Sequence, residues 1–350
     1  MGPPKAGSSV FYVTPGGNER ADSSRVVAFH ATSAVPFVGR EGPRKSKPAK
    51  LPHRTSARDA ICKNLARAAD DIAWNGACVL AGSDPEAVHQ IRVALRRLRA
   101  VLSLYRELLP EKMHDHLRDL ARVVNGPLGA ARNADVFCDD VLAAASRAMP
   151  EDPDLAALAA AAERERETRW AKAREMLRSE SFAGLIAAAD SMAREPGSRG
   201  REEDAVLSSS AWRFAAKSLK RRHKRLRDRG RHLRHMSAAE RHKLRIAAKK
   251  QRYAAELFAP LFKKSRGRAY SGALARVQSA LGEMNDIAGM PAQLQALLAK
   301  AGGDAALARA AGLVLGYYQA GAAAREERLR DAWKRFKAAK KFWRSSASAL

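Results

Sequence analysis

The 350-residue chain has few aromatic residues (6%), three cysteines and far fewer acidic than basic side chains. The cysteines, Cys62, Cys78 and Cys138, form no Cys-x-x-Cys pair and are odd in number, which favours free thiols over a disulfide framework or a zinc site. No apolar run reaches the roughly 20 residues that a membrane-spanning helix needs. Residues 26–38 are apolar-rich but lie too late and are too polar for a signal peptide. We therefore expect a soluble, cytoplasmic protein.

Strand signals are also nearly absent, since alternating Val, Ile and Thr runs and Asn-Gly hairpin turns are missing. The hydrophobic content of 46% is instead rich in alanine, which is typical of closely packed helices. The sequence therefore predicts an all-α fold. The predicted helices are 58–82, 85–109, 111–125, 129–148, 153–178, 206–234, 238–262, 267–281, 284–300 and 304–343.

Glycine, proline and serine mark the divisions of the chain. They are frequent in residues 1–57, which also carry a basic run at 44–47, so we predict a disordered basic arm there. Pro196, Gly197 and Gly200 interrupt the helical pattern at 194–204. We place the boundary between a first half, 58–195, and a second half, 205–343, at this interruption, and we treat 344–350 as a tail.

The excess of cations is large, because 64 Lys and Arg against 37 Asp and Glu give a net charge of +27. Such a charge favours polyanionic partners such as nucleic acid, polyphosphate or an anionic membrane surface, and it says nothing about the fold. A specific site can be predicted only from how the cations are arranged along the chain.

A stretch around His89 is repeated around His242. Residues 88–99 read VHQIRVALRRLR and residues 241–252 read RHKLRIAAKKQR, with an offset of 242 − 89 = 153. The same offset relates Leu128-Gly129 to Leu281-Gly282, since 281 − 128 = 153. A repeat that extends this far without an insertion indicates two similar units.

The two repeated stretches are predicted to begin as helices with different capping residues. Asp84 followed by Pro85 indicates an N-cap and a proline at the first helical position. Ser237 with Glu240 three residues later indicates a capping box. Different chemistry therefore starts a helix at equivalent points, which argues against chance similarity.

Each repeated stretch predicts a helix with a cationic face opposite an apolar face at 100° per residue. The cationic faces comprise His89, Arg92, Arg96 and Arg99 in the first copy and His242, Arg245, Lys249 and Arg252 in the second. A charged face is usually only solvated, and that interpretation stays open. Three features favour an anion site: the faces have no acidic i,i+4 partners within the span from the histidine to the last cation, they occur twice, and arginine suits phosphate oxygens.

A denser basic stretch precedes the second copy. Residues 212–234 carry eleven Lys and Arg and one acidic residue, Asp228. Helical spacing puts several cations on one side, namely Arg213, Lys217, Lys220, Lys224, Arg227 and Arg231. They could form another wall of the same site, or a surface that confers solubility and steers nucleic acid.

Neither metal binding nor catalysis is indicated by the residues. His89 has Arg92 at i+3 rather than a metal ligand, and no Gly-x-Ser-x-Gly or Cys/His arrangement supplies a nucleophile. Asp135, Asp139 and Asp140 are the nearest approach to a metal-binding carboxylate cluster, but their setting looks like an ordinary helix surface. We expect no metal, no cofactor and no enzymatic activity, with the histidines acting as phosphate donors or in structure.

The repeated stretches resemble the CHAD family, the conserved histidine α-helical domain. The matching residues are His89-x-x-Arg92-Val93-x-x-Arg96-Arg97-Leu98-Arg99 with Leu128-Gly129-x-x-Arg132, and His242-x-x-Arg245-x-x-x-Lys249-x-x-Arg252-Tyr253 and Glu256 with Leu281-Gly282-x-x-Asn285-Asp286. The resemblance covers roughly residues 58–340. The chain departs from the family pattern at Asn133, where Asp is usual, and at Gln251. Residues 1–57 are too poor in Glu for the CYTH domain to which members are often fused.

The resemblance implies two helical bundles, related by a pseudo-twofold axis, whose basic helices face a central groove that binds inorganic polyphosphate. The candidate polyphosphate-binding residues are His89, Arg92, Arg96, Arg97, Arg99, Arg132, Arg213, Lys217, Lys220, Lys224, His242, Arg245, Lys249 and Arg252. We predict a non-enzymatic polyphosphate-binding protein that could be targeted to polyphosphate granules.

Two other functions stay open at this point. The cationic faces could bind the phosphate backbone of nucleic acid, although the motif helices lack aromatic side chains for stacking on bases. The chain could also associate with a granule or membrane surface through its last helix, where apolar residues share a face. These residues are Leu329, Trp333, Phe336 and Trp343.

Overall fold

Helices dominate the computed structural model, which describes residues 42–262 and 264–344. The α-helices are α1 Ala57–Ala81, α2 Pro85–Tyr105, α3 Glu111–Val136, α4 Ala143–Ala148, α5 Pro153–Leu177, α6 Glu180–Arg194, α7 Arg201–Ser208, α8 Ala211–Arg229, α9 Ala238–Phe258, α10 Lys264–Lys300, α11 Ala305–Ala320 and α12 Ala322–Ala338. A π-helical segment, Phe137–Leu142, links α3 to α4, and short 3₁₀ turns lie at Leu233–His235, Ala259–Leu261 and Phe342–Arg344. Within the described ranges no strand forms, so the prediction of an all-α fold is confirmed.

The two basic helices begin with the predicted caps. The Asp84 carboxylate accepts a hydrogen bond from the backbone N–H of Glu86 at 2.8 Å, ahead of α2. Ser237 and Glu240 form a capping box at the start of α9, with 2.8 Å between the Ser237 nitrogen and the Glu240 carboxylate. The bounds of α9 are those of α2 moved by the repeat offset, since 238 − 85 = 153 and 258 − 105 = 153.

The helices before and after α7 pack in the same order. In the first half α1 packs on α2, α2 on α3, and α3 on α5 and α6; in the second, α8 packs on α9, α9 on α10, and α10 on α11 and α12. Between the halves α2 contacts α9 directly. An isolated antiparallel bridge joins Ser56 to Ser210, the residues that precede α1 and α8.

Two hydrophobic cores hold these helices together. The larger core contains residues of α1, α2, α3, α6, α8, α9, α10 and α12, and its buried Tyr105 ring stacks on the partly buried Phe214 with 4.5 Å between centroids. The smaller core joins the π-helical segment and α5 to the end of α10 and to α11, through residues such as Phe137, Leu158 and Leu294. Each core draws on both halves, so the described residues of the two halves form one compact unit.

The predicted breaks near Pro127 and Gly282 are wrong. Helix α3 continues through Pro127, and α10 continues through Gly282 and Pro291. A proline in a helix removes one hydrogen bond and usually bends the helix. Here Val124 and Leu128, on either side of Pro127, are fully buried, and that burial favours a continuous helix.

Other helix boundaries also differ from the predictions. The predicted helix 206–234 is divided at the Ser56–Ser210 bridge into α7 and α8, and the predicted helix 304–343 is divided at Gly321 into α11 and α12. Helix α6 was not predicted, and α7 begins inside the predicted interruption at 194–204. Gly200 precedes α7 in an extended conformation, so the interruption itself is shorter than predicted.

The predicted disordered arm does not extend to residues 42–56. Their backbone N–H groups donate to side chains of α1 and α2: Ser46 to Gln90 Oε1 at 2.8 Å and Ala49 to Asn64 Oδ1 at 3.2 Å. Leu51 is buried in the larger core. Polar side chains on the helices thus satisfy the backbone N–H groups of an extended segment. Local composition does not reveal these distant partners. Residues 1–41 of the predicted arm, and 345–350 of the predicted tail, lie outside the described residues.

Candidate anion-binding site

Helices α2 and α9 bring cationic side chains of both repeated stretches together. Burial is the main cause that lowers the pKa of Lys249 to about 8, and the charges of Arg245, Arg96 and Arg92 lower it further. Lys249 and Arg96 occupy equivalent positions of the repeat, since 249 − 96 = 153. We call Arg92, Arg96, Arg132, Arg245 and Lys249 the central cationic group, because each of these charges acts on another member.

Arg92 is strongly desolvated within the central cationic group. Its pKa is lowered to about 10, first by burial and then by Arg96 and Arg132. The buried Nη1 atom has no hydrogen-bond partner within the described chain. A buried arginine with an unused donor and two cationic neighbours favours a bound anion, which would restore the lost solvation and reduce the repulsion.

The Leu-Gly pair of each half is explained by the arginine that it faces. A Cβ atom on Gly129 would lie 2.5 Å from Arg92 Nη1, so the guanidinium can lie against α3 only because residue 129 has no side chain. The equivalent Gly282 faces Arg245, with a Cβ position 3.9 Å from its Nε. The sequence contained this signal as a repeated Leu-Gly motif, but its role is visible only in the structure.

The two histidines lie at the start of the cationic rows and have different surroundings. The half-buried His89 has its pKa lowered by burial, raised by Glu86, and lowered again by Arg132, Arg96 and Arg92. The exposed His242 contacts Asn285 through Nδ1, 2.9 Å from Oδ1. His89 therefore belongs with the central cationic group, whereas His242 is oriented by a neutral amide.

A buried carboxylate lies close to Arg132, and its burial was not predicted from the sequence. Asp135 lies one turn on, 3.9 Å from Arg132 Nη1, and accepts a hydrogen bond from Trp170 Nε1 at 2.8 Å. The prediction that Asp135 lies on an ordinary helix surface is wrong, because its side chain is fully buried. Burial raises the pKa of Asp135, while Trp170 and Arg132 lower it. The buried carboxylate thus lies within ion-pair distance of Arg132 even though residue 133 is Asn.

Arg97 and Arg252 take part in a structural ion pair. Both guanidinium groups donate to Glu256, Arg97 at 3.2 Å and Arg252 at 2.8 Å. Glu256 thereby links α2 to α9 and compensates two of the predicted anion-binding cations. Arg99, at the end of the first row, is exposed and acts on Lys250 rather than on the central cationic group.

The four predicted cations of α8 lie apart from the central cationic group. Arg213, Lys217, Lys220 and Lys224 are exposed. Within the described ranges none of them makes a hydrogen bond or ion pair, and none shifts the pKa of a member of the group. On a helical wheel their row lies on the opposite face of α8 from Arg222. Arg222 is the residue that reaches α2, where it donates to Ser103 O at 2.8 Å. The structure therefore does not bring this row to the site.

A cleft of ≈ 570 Å³ opens beside Arg92, between α2, α3 and α5. Its lining residues are Arg92, Asn125, Gly126, Gly129, Ala130, Asn133, Glu165, Arg169 and Lys172. Arg169 is paired with Glu165 at 2.8 Å, but Lys172 is exposed and adds a cation that the sequence interpretation missed. The missed residues come from α5, which carries no copy of the repeated stretch.

Metal binding, membrane crossing and surface association would each require specific groups of side chains. In the part of the chain that the structure describes, no group of three His, Cys, Asp or Glu side chains could hold a metal ion. None of its helices is long and apolar enough to cross a membrane. Leu329, Trp333, Phe336 and Trp343 are all buried, so the predicted apolar face of the last helix is part of the core and offers no exposed surface for association.

Comparisons with known proteins agree with the arrangement of the helices. No curated protein sequence matches the chain. The crystal structure of the CHAD domain from the plant Ricinus communis has a TM-score of 0.73 and 28% identity, covering 87% of this chain and 100% of that one. PptA from Streptomyces chartreusis has a similar fold, with a TM-score of 0.61, 17% identity, and coverage of 80% of this chain and 100% of that one. The family model of the CHAD domain matches residues 63–295, more than half of the chain, and the protein belongs to the CHAD domain family.

Proposed function

We propose that the protein binds inorganic polyphosphate, without catalysing its breakdown, in a groove between α2 and α9. The observation that carries this proposal is the central cationic group, in which cations from both halves lower the pKa of Lys249. Membership of the CHAD family, which is associated with polyphosphate-related proteins, supports it. The matching bounds of α2 and α9, and the Ser56–Ser210 bridge, support a pseudo-twofold relation between the halves.

The charges of the group fit a linear polyanion. The carboxylate of Asp286 lies 3.6 Å from Arg245, and its side chain is 62% exposed. It makes no ion pair with Arg92 or Arg96 in the described chain, so the charges of these two arginines are not compensated. A polyphosphate carries closely spaced charges, so neutralising several phosphates releases counterions, and affinity should fall steeply with salt. Arginine donors can hold phosphate oxygens in pairs.

Binding rather than hydrolysis is proposed because the described side chains offer no obvious catalytic arrangement. Asp139 is paired with Arg166 at 2.8 Å, and Asp135 is buried against Trp170. Both carboxylates therefore have structural partners. Incubation with long-chain polyphosphate and magnesium should release no phosphate above the buffer rate, and steady release with repeated turnover would contradict this part of the proposal.

Nucleic acid remains the competing ligand, because the exposed row of α8 could attract any polyanion. The proposal is tested by titrating the protein with long-chain polyphosphate and competing with duplex DNA at matched phosphate concentration and physiological salt. We expect polyphosphate to bind at least about a hundredfold more tightly, because a confined cationic group favours closely spaced phosphates. Equal competition would mean that the protein is a general polyanion binder.

We extend this proposal to the location of the protein in the cell, which we expect to be cytoplasmic, at polyphosphate granules. A protein with a high affinity for long chains would be retained wherever polyphosphate accumulates. A fluorescent fusion should concentrate on granules in cells that contain polyphosphate and should spread evenly in cells that cannot make it.

A further inference from the structure

The two sides of the α2–α9 pair carry different charges at equivalent positions. Helix α1 packs on α2, and its equivalent α8 packs on α9. Counted from the first residue of each helix, Asp71 and Arg225 are equivalent, since 71 − 57 = 14 and 225 − 211 = 14. Asn75 and Arg229 are equivalent in the same way, since 75 − 57 = 18 and 229 − 211 = 18. An acid and an amide on α1 therefore correspond to two arginines on α8.

On the α1 side the cations are compensated and covered. The fully buried Asp71 pairs with Arg44 at 2.8 Å and with Arg67 at 3.0 Å. Glu256 takes the hydrogen bonds of Arg97 and Arg252. Residues 44–49 lie over α1, and the backbone N–H groups of Arg44, Lys47 and Ala49 donate to its side chains, as at Lys47 N and Asp71 Oδ2, 3.3 Å apart. We call this the closed side.

On the α8 side a row of cations continues from the central cationic group. Arg99 lies one turn beyond Arg96, and Lys250 adjoins Lys249 in the sequence. Arg222 extends from α8 to α2, donating to Ser103 O at 2.8 Å. Arg225 and Arg229 follow on the same face of α8, and Arg229 donates to Lys243 O on α9 at 3.3 Å. We call Arg99, Lys250, Arg222, Arg225 and Arg229 the open side.

The members of the open side act on one another electrostatically. The pKa of Lys250 is lowered by burial and then by Arg222, Arg229, Arg225 and Arg99. The pKa of Arg222 is lowered to about 10 by burial, with smaller contributions from Arg221 and Arg225. Glu107 is the carboxylate that opposes these charges in the described part of the chain, but it is 79% exposed and pairs with Arg221 at 3.5 Å. Five neighbouring cations therefore have little compensation.

We infer that a polyphosphate chain too long for the central cationic group leaves it over Arg99 and Lys250 and continues along Arg222, Arg225 and Arg229, on the α8 side only. This inference rests on the proposed function and adds a direction and a dependence on chain length. The closed side offers the chain fewer free donors, because its arginines are already engaged with Asp71 and Glu256. The open side offers the extra phosphates a row of donors, and each phosphate that is neutralised adds counterion release.

The test compares two double variants of α8 with the parent protein, using triphosphate and polyphosphate of about a hundred phosphates as ligands. One variant is Arg225→Ala with Arg229→Ala, on the open side. The matched control is Lys220→Ala with Lys224→Ala, which removes the same charge from an exposed row of the same helix that makes no described hydrogen bond. Circular dichroism and thermal unfolding verify that each variant is folded.

We expect the open-side variant to bind triphosphate within about twofold of the parent but to lose roughly tenfold in affinity for the long chain. The control should lose less than about threefold for either ligand. Equal losses in the two variants, or an equal loss for both ligands, would overturn the inference while leaving the proposed function intact. A parent that binds neither ligand would instead overturn the proposed function.

A replacement variant and a second polyanion complete the experiment. If the double variant does not fold, Arg225→Gln alone takes its place, because Arg225 is exposed and makes no described hydrogen bond. Polyglutamate of similar charge is titrated as well. If the open-side variant loses only polyglutamate binding and retains long-chain polyphosphate binding, the open side recognises an acidic polypeptide and the inference is wrong.

Discussion

The first half and the second half place an arginine against a helix glycine at equivalent positions, but they surround it differently. Each arginine has a buried donor without a partner in the described chain, Arg92 Nη1 and Arg245 Nε, but Arg92 has the cationic Arg132 as a neighbour. Arg245, in the second half, has Asp286 at 3.6 Å. Position 132 corresponds to Asn285, since 285 − 132 = 153. The repeated element is thus a cation beside a glycine, and the surroundings make the first half the more cationic side of the site.

The largest expected effect separates the two arginines. Arg92→Ala should weaken polyphosphate binding by about 2 kcal/mol, roughly thirtyfold, because it removes a buried charge-assisted donor. Arg245→Ala should cost about 1 kcal/mol, because Asp286 already compensates part of that charge. Isothermal titration of both variants measures the difference. A larger loss for Arg245→Ala would reverse the proposed ranking of the halves.

A smaller effect is expected when the two glycines are exchanged for alanine. Gly129→Ala should lower affinity roughly tenfold, because its Cβ would meet Arg92 Nη1 and displace the guanidinium. Gly282→Ala should leave affinity nearly unchanged, because the nearest Arg245 atoms lie at van der Waals distance. Both changes favour the helix by up to about 1 kcal/mol, so thermal unfolding should show no loss of stability. Equal affinities would mean that Arg92 does not need its place against α3.

The pH dependence of binding should follow Lys249. In the free protein its pKa is lowered to about 8 by burial and by Arg245 and Arg96, and a bound polyanion would raise it again. Binding is therefore favoured when Lys249 is charged, and affinity should decrease as the pH rises through about 8. Lys249→Arg, whose charge persists in this range, should flatten the profile between pH 7 and 9. An unchanged profile in that variant would show that another group titrates.

The smallest expected effect comes from Asp286. Asp286→Asn removes an exposed negative charge beside Arg245 and should raise affinity for polyphosphate about twofold, most clearly at low salt. Glu283→Gln on the same helix is a suitable control, because Glu283 pairs with Arg328 at 3.1 Å and not with the central cationic group. A decrease in affinity would indicate that Asp286 orients Arg245 for binding rather than weakening its charge.

Much of the fold could be predicted because it depends on local signals. Helical periodicity, the caps at Asp84 and Ser237 and the offset of 153 residues are all visible in the sequence and correspond to the observed bounds of α2 and α9. The prediction of a helix break at Pro127 is wrong. The helix continues because the burial of residues on both sides of the proline outweighs one lost hydrogen bond. Residues 44–49 were overlooked because their partners are side chains distant in the sequence.

The candidate site was predictable as two rows but not as one group. Helical spacing gave Arg92, Arg96, Arg245 and Lys249 the same face on each helix, whereas only the contact between α2 and α9 brings the rows together. The same contact takes Arg97 and Arg252 out of the candidate site, because Glu256 of the second half compensates one cation from each half. Charges that are far apart in the sequence decide which arginines stay uncompensated, and a single sequence does not contain their distances.

The central claim is that the position of the cations, rather than the net charge of +27, determines binding. The most direct measurement compares the polyphosphate affinity of two variants that each lose four cations, at physiological salt. One variant carries Arg92→Ala, Arg96→Ala, Arg245→Ala and Lys249→Ala; the other carries Arg213→Ala, Lys217→Ala, Lys220→Ala and Lys224→Ala. We expect the first to lose more than about a hundredfold and the second less than about fivefold. Equal losses would contradict the account.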